Sequence, residues 1–212
     1  IPLIKPNLFT LIAAVLALTP TTSAVAQTRE TLNLVSGWTF IRADAGVQAP
    51  TTGWQPVTVP HTWNTADGAN GKAADPQYPE GYYRGPAWYA RALDVPAAWQ
   101  GKRVFIRFEG VSLVADVFVN GIPVGRHRGA FAAFCFEITP YLHFDGKDTL
   151  KVRADNARTL DVAPLSGDFT LFGGIYRPVR LIATDKVCVS PLELASPGVF
   201  LTLKHLARDQ AV

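Results

Sequence analysis

The sequence is poor in the residues that announce several common protein classes. It holds no Met, only two Cys and four His in 212 residues, and charged side chains make up 17% of it. Cys135 and Cys188 cannot build a disulfide scaffold; they allow one bridge, and two unpaired thiols in strand-like surroundings fit as well. His61, His127, His143 and His205 lie far apart without the close ligand spacing of a zinc site, so no transition metal is expected. Lys and Arg are scattered singly and the formal net charge is +3, which argues against nucleic acid or an anionic membrane as partner. The apolar stretch from Leu8 to Leu18 falls short of the roughly 20 residues that cross a bilayer.

Helical periodicity is missing too. Between Thr31 and Val189 no stretch sustains a 3.6-residue apolar period, whereas short alternating segments recur between Gly, Pro, Asn and Asp. With 48% hydrophobic residues, 16 Pro and 17 Gly, the chain reads as a core-forming, turn-rich all-β protein rather than a disordered one. Strands are expected at Trp38–Arg42, Val57–Val59, Ala87–Val95, Arg103–Phe108, Ala115–Val119, Ile122–Arg126, Phe131–Ile138, Thr149–Asp155 and Val179–Ala183. Asn120-Gly121 supplies the two positive φ angles of a type I′ hairpin, and Pro123 just beyond it places the second strand at a sheet edge. Evenly spaced strands with long Pro- and Gly-rich connections predict a two-sheet jelly-roll β-sandwich.

The ends divide the chain into three. Lys5, the apolar stretch and Ala24-Val-Ala26 have the layout of a secretory signal, so residues 1–26 are read as a leader, the start as incomplete for want of Met, and the product as secreted or periplasmic. Residues 27–186 form the sandwich. After Thr184-Asp-Lys186, residues 187–212 begin new strands that stop at Val212, the start of a severed second domain whose unpartnered apolar residues invite mobility or aggregation.

Residues Gly167 to Arg177 set one carboxylate, Asp168, before an aromatic patch and a Gly-Gly turn. A short acid beside aromatic faces suits sugar hydroxyls, with the aromatic rings covering the apolar side of the sugar. The strand-free segment from His61 to Gly85 is long enough to be functional and ends in Tyr82-Tyr83-Arg84-Gly85-Pro86. Tyr82, Tyr83 and Phe172 lie in loops and are candidates to line a cleft, whereas Trp38, Trp63, Trp88 and Trp99 are read as core and His61 as a turn histidine satisfied by backbone.

Several segments in order carry a resemblance: Ser36-Gly-Trp38-Thr-Phe40, Val59-Pro-His61-Thr-Trp63-Asn64, Tyr83-Arg-Gly-Pro-Ala-Trp88-Tyr89, Phe108-Glu-Gly-Val111, Val117-Phe-Val-Asn-Gly121, Val124-Gly-Arg-His-Arg-Gly129 and Gly173-Gly-Ile-Tyr-Arg177. Together they resemble the N-terminal sugar-binding domain of glycoside hydrolase family 2, of the β-galactosidase and β-glucuronidase type. The resemblance implies a jelly-roll followed by an immunoglobulin-like domain, whose opening residues 187–212 resemble, and then a (β/α)8 barrel that carries two catalytic glutamates about 5 Å apart. It implies that Asp168 holds the terminal sugar of a β-linked carbohydrate, partly through a bound cation, without transferring a proton, which favours the β-galactosidase branch. Arg84 and Tyr83 resemble the other segment that nears the sugar, with Phe172 beside it.

Blander readings stand beside these. Asp168 also suits an Asx turn, Arg84 a ring stack or a structural ion pair, and Arg177 a packing role against Glu109 or Asp116. No catalytic residue is assigned: Glu80 and Glu109 are not preorganised as a pair, and no Asn-Glu sequence occurs. The expected function is therefore the substrate-side domain of a secreted retaining β-glycosidase, inactive alone and needing the missing domains as partners. The alternatives are a non-catalytic carbohydrate-binding module, which needs a complete domain ending, and a structural sandwich, which needs no sugar affinity.

Overall fold

The structure, a computed structural model, describes residues 29–43, 46, 48–65, 82–163, 172–204, 206–207 and 210–211. The strands are β1 (Glu30–Asn33), β2 (Trp38–Ile41), β3 (Gln55–Val57), β4 (Pro86–Ala92), β5 (Arg103–Phe108), β6 (Val114–Val119), β7 (Ile122–Arg128), β8 (Phe134–Glu137), β9 (Thr149–Asp155), β10 (Val179–Thr184), β11 (Leu206–Ala207) and β12 (Gln210–Ala211). They form a four-stranded sheet in the order β1-β10-β5-β8, a six-stranded sheet in the order β3-β2-β4-β9-β6-β7, and a β11-β12 ribbon, every pairing antiparallel. Among the described residues only two short 3-10 turns, Ala97–Trp99 and Thr139–Tyr141, interrupt the β structure. None of their helices is long and apolar enough to cross a membrane. The all-β sandwich expected from the sequence is the fold.

Alternation explains the two layers. Val104, Ile106 and Phe108 of β5 meet Tyr89 of β4, Val117 of β6 and Val152 of β9 in the core between the sheets, with Trp38 and Phe40 from β2. Each such fully buried side chain contributes on the order of 1.5–3 kcal/mol. Trp38 Nε1 donates to the Leu34 carbonyl at 2.8 Å, so the indole is buried without leaving a polar group unpaired. The opposite face of β5 carries Phe105, which joins Cys135 and Ile182 in a second cluster closed by Ala195, with Cys188 packed against it. Residues beyond β10 thus fold back over the outer face of the smaller sheet, while Leu201, at 95% exposure, leaves it. Both cysteines are free, and burial pushes the Cys135 thiol up to about 11.

The structure moves several expected boundaries. β3 covers 55–57 rather than 57–59, because Pro56 sits opposite Thr39 on the outermost strand, where its missing N–H is harmless. β8 begins at Phe134, since Phe131 is exposed rather than paired. β1 had no signature in the sequence: all four of its residues are exposed, and only pairing with β10 makes it a strand. The Asn120-Gly121 turn has φ angles of 52° and 77°, and Pro123 lies on the outermost strand β7, next to a bulge opposite Val117 and Phe118. Arg177 does not pair with Glu109 or Asp116. Glu109 is taken by Arg107 and Arg180, and Asp116 by Arg126 and Arg153, leaving the Arg177 guanidinium 5.5 Å over the Tyr176 ring.

Truncating a side chain at the centre of the core removes transfer energy and leaves a cavity, so Ile106→Ala is expected to cost about 2–5 kcal/mol. Lys186→Ala, at an exposed position, should stay within about 0.5 kcal/mol. Urea unfolding followed by tryptophan fluorescence measures both.

Candidate functional site

Four segments distant in sequence meet at one rim of the six-stranded sheet through two buried asparagines, Asn64 and Asn156. Asn64 Nδ2 donates to the Tyr83 carbonyl at 3.1 Å, and its Oδ1 accepts the Gly173 N–H at 2.7 Å and Asn156 Nδ2 at 3.4 Å. Asn156, just past β9, accepts the Gly85 N–H at 2.9 Å and donates to the Tyr83 carbonyl at 3.3 Å. The clasp joins the 61–65 turn, the entry to β4, the exit of β9 and the 172–177 segment. An amide offers two donors and an acceptor with two lone pairs, which no apolar side chain can replace. Stranding one of these partners in the interior costs about 1–3 kcal/mol.

Glycine is obligatory where the 172–177 segment crosses Trp63. A Cβ on Gly173 would lie 2.0 Å from Trp63 Cζ2, and one on Gly174, at φ 114°, would lie 2.5 Å from the Tyr89 hydroxyl and 2.7 Å from the His61 carbonyl. Trp63 stacks on Phe40 with centroids 5.9 Å apart and meets Tyr83 edge-on at 6.1 Å. Trp38 and Trp99 lie in the core between the sheets and Trp63 is partly buried against it, while Trp88 is buried on the other face of β4. It is the Gly-Gly backbone rather than open solvent that lies against the Trp63 ring.

The residues singled out for sugar contact fall as follows. Tyr83 is at the rim, but its hydroxyl donates back to the Pro86 carbonyl at 2.8 Å and its carbonyl serves the clasp, a positioning role. Arg84 is half-buried beside it, and Phe172 is exposed next to Gly173. The clasp therefore brings the Tyr83-Arg84 and Phe172-Gly173 segments together. Asp168, the cation expected beside it, Glu80 and the leader lie outside the described residues. Sequence reasoning missed Asn156 altogether and passed over Asn64. The signal present was weak: an Asn in a tight sequence such as Trp63-Asn64, and another directly after a strand.

His61 is held by more than backbone. Its N–H donates to the Ile175 carbonyl at 2.8 Å, and its Nδ1 lies 2.8 Å from the Tyr89 hydroxyl. Burial pushes the pKa of the Tyr89 phenol far up, so its hydroxyl stays protonated beside Nδ1. Burial holds the pKa of His61 below the ordinary histidine value. Next to this pair, β2, β3 and the 61–65 turn enclose a cleft of about 590 Å³.

Two other polar clusters are structural. The hydrogen-bonded Arg107 guanidinium holds the Glu109 carboxyl below the usual carboxylate range against the opposing effect of burial. His143, Asp145 and Asp148 each bring a possible ligand atom within 4.8 Å of the others. Burial raises the Asp148 pKa, but donation from the His143 and Phe144 N–H groups and from Asn120 prevails and lowers it, so its oxygens already cap a turn.

Residues 38–163 match the glycosyl hydrolase 2 galactose-binding domain-like family. The chain belongs to that family. As a glycosyl hydrolase 2 galactose-binding-like domain, it is 43% identical over 183 residues to a β-glucuronidase of Bacteroides fragilis, covering 86% of this chain and 25% of that protein. It is 34% identical over 160 residues to a β-galactosidase of Thermoanaerobacter pseudethanolicus, covering 72% of this chain and 21% of that one. The crystal structure of a Bacteroides uniformis β-glucuronidase superposes with a TM-score of 0.76 at 37% identity, over 87% of this domain and 21% of that chain. The galactose-binding-like domain thus spans a quarter or less of these relatives' length.

Gly173→Ala is expected to push Trp63 off its seat and shift the tryptophan emission, with a loss of stability of about 1–3 kcal/mol from overpacking. Because His61 and His127 both have lowered pKa values, folding favours their neutral forms. The stability they contribute is present above the unfolded histidine pKa of about 6.5 and is lost as pH falls through their lower folded values. Urea midpoints measured from pH 8 to 4 should fall below about pH 6.5, and His61→Gln should flatten that slope.

Proposed function

We propose that this domain is the substrate-side sandwich of an exported, retaining β-glycosidase and has no hydrolytic activity by itself. The observation that carries the reading is the 43% identity to a β-glucuronidase across 86% of this chain but only 25% of that enzyme. In this reading Asp168, Arg84, Tyr83 and Phe172 contact a sugar bound chiefly by the rest of the protein, and the tied rim positions the last three. Asp168 supports a β-galactoside as substrate, and the names of two similar proteins, the Bacteroides β-glucuronidases, support a β-glucuronide. The signal-like layout of Lys5, Leu8–Leu18 and Ala24-Val-Ala26 supports export.

Hydrolysis of chromogenic β-galactoside and β-glucuronide, by this chain and by a protein extended to the length of its relatives, tests the reading. Turnover is expected only in the extended protein, and Asp168→Ala should lower its kcat/KM by about tenfold or more, the worth of one charged hydrogen bond. Turnover by the 212-residue chain itself would overturn the proposal.

A further inference from the structure

The cleft beside the His61–Tyr89 pair has a chemistry of its own. It is lined by Phe40, Arg42, Gln55, His61, Thr62 and Trp63 among others, and its 590 Å³ falls in the range of small-ligand pockets. Among the described residues no Asp or Glu lines it. The Arg42 side chain is exposed, and its guanidinium rests 4.5 Å over the Tyr83 ring. Among the described residues no carboxylate or carbonyl takes any of its N–H groups. A guanidinium stacked on an aromatic face is held in plane with its fork of donors free, the arrangement that meets a carboxylate with two parallel hydrogen bonds.

His61 adds a second polar group. With Nδ1 engaged by the Tyr89 hydroxyl at 2.8 Å, Nε2 is the ring nitrogen left to meet a ligand, as donor or acceptor according to tautomer. The Thr62 hydroxyl oxygen accepts the Asn64 N–H at 3.2 Å, which leaves its own hydrogen to donate, and Gln55 offers both a donor and an acceptor from the exposed edge strand β3. Phe40 and Trp63 supply an apolar floor.

We propose that this cleft is a binding subsite for a carboxylate-bearing saccharide, with Arg42 gripping the carboxylate while His61 Nε2, Thr62 and Gln55 meet ring hydroxyls. The subsite stands on the geometry of the cleft and does not require that the domain belong to an active glycosidase.

The test is an NMR titration of the ¹⁵N-labelled 212-residue chain with sodium glucuronate, glucose and sodium acetate, each into the tens of millimolar at constant ionic strength and neutral pH. Glucuronate should give saturable shifts at Arg42, His61, Thr62 and Trp63, and bind more tightly than either glucose or acetate. Arg42→Gln should weaken glucuronate about tenfold or more and leave glucose unchanged, with Arg42→Lys in between because it keeps the charge but loses the fork. Gln55→Ala, at an exposed edge position, is the second variant and should weaken both sugars alike. Absent shifts with glucuronate, equal affinity for acetate, or a folded Arg42→Gln that binds glucuronate as well as the parent would each overturn the subsite. Failure here leaves hydrolysis by the extended protein untouched, so the two readings fail separately.

Discussion

Asn64 and Asn156 share one buried contact at 3.4 Å, and the arrangement of the whole rim follows from it. Each amide also serves a second segment, so no member can move without stranding a polar group in a low-dielectric interior. The Tyr83 carbonyl accepts from both amides, which places the entry to β4. The Gly173 N–H places the 172–177 segment against Trp63. A sandwich core made only of Val, Leu and Phe would hold the sheets together yet leave the loops above them unregistered; the asparagines convert sheet geometry into loop geometry.

The same rim shows why glycine and aromatic residues cluster in these segments. Gly173 and Gly174 admit the backbone to within van der Waals contact of Trp63 and Tyr89, and the Tyr89 hydroxyl then meets His61 Nδ1. Gly85 plays a related part for Tyr83, whose hydroxyl would meet an added Cβ at 2.8 Å. Aromatic residues that suggest sugar stacking in the sequence are therefore largely occupied in holding one another. The polar capacity left over is on the cleft side, at Arg42, Gln55 and Thr62.

Charge is handled differently on the two outer faces. Over the smaller sheet, Arg103 pairs with Glu137, and Glu109 bridges Arg107 and Arg180, around the apolar cluster of Phe105, Cys135 and Ile182. On the outer face of the larger sheet Trp88 is buried at 1% exposure against Phe118, with Arg153 paired to Asp116 and Asp155 nearby. Partly exposed pairs of this kind contribute modestly to stability, and their effect is to permit long strands with charged outer faces.

Alternation along β5 and β9, the Asn120-Gly121 turn and Pro123 at an edge determined, from the sequence alone, an all-β sandwich and the limits of most strands, because period-2 burial and positive φ angles are local properties of a few neighbouring residues. The ordered series of segments from Trp38 to Arg177 was likewise readable in one dimension. The edge strand β1, the two-asparagine clasp, the occupation of Trp63 by a glycine backbone and the contact of His61 with Tyr89 were decided only by the tertiary structure. Each depends on partners tens of residues away, such as Asn64 with Asn156 at a separation of 92 and with Gly173 at 109, and the polarity of a lone Asn carries no record of which distant amide will meet it.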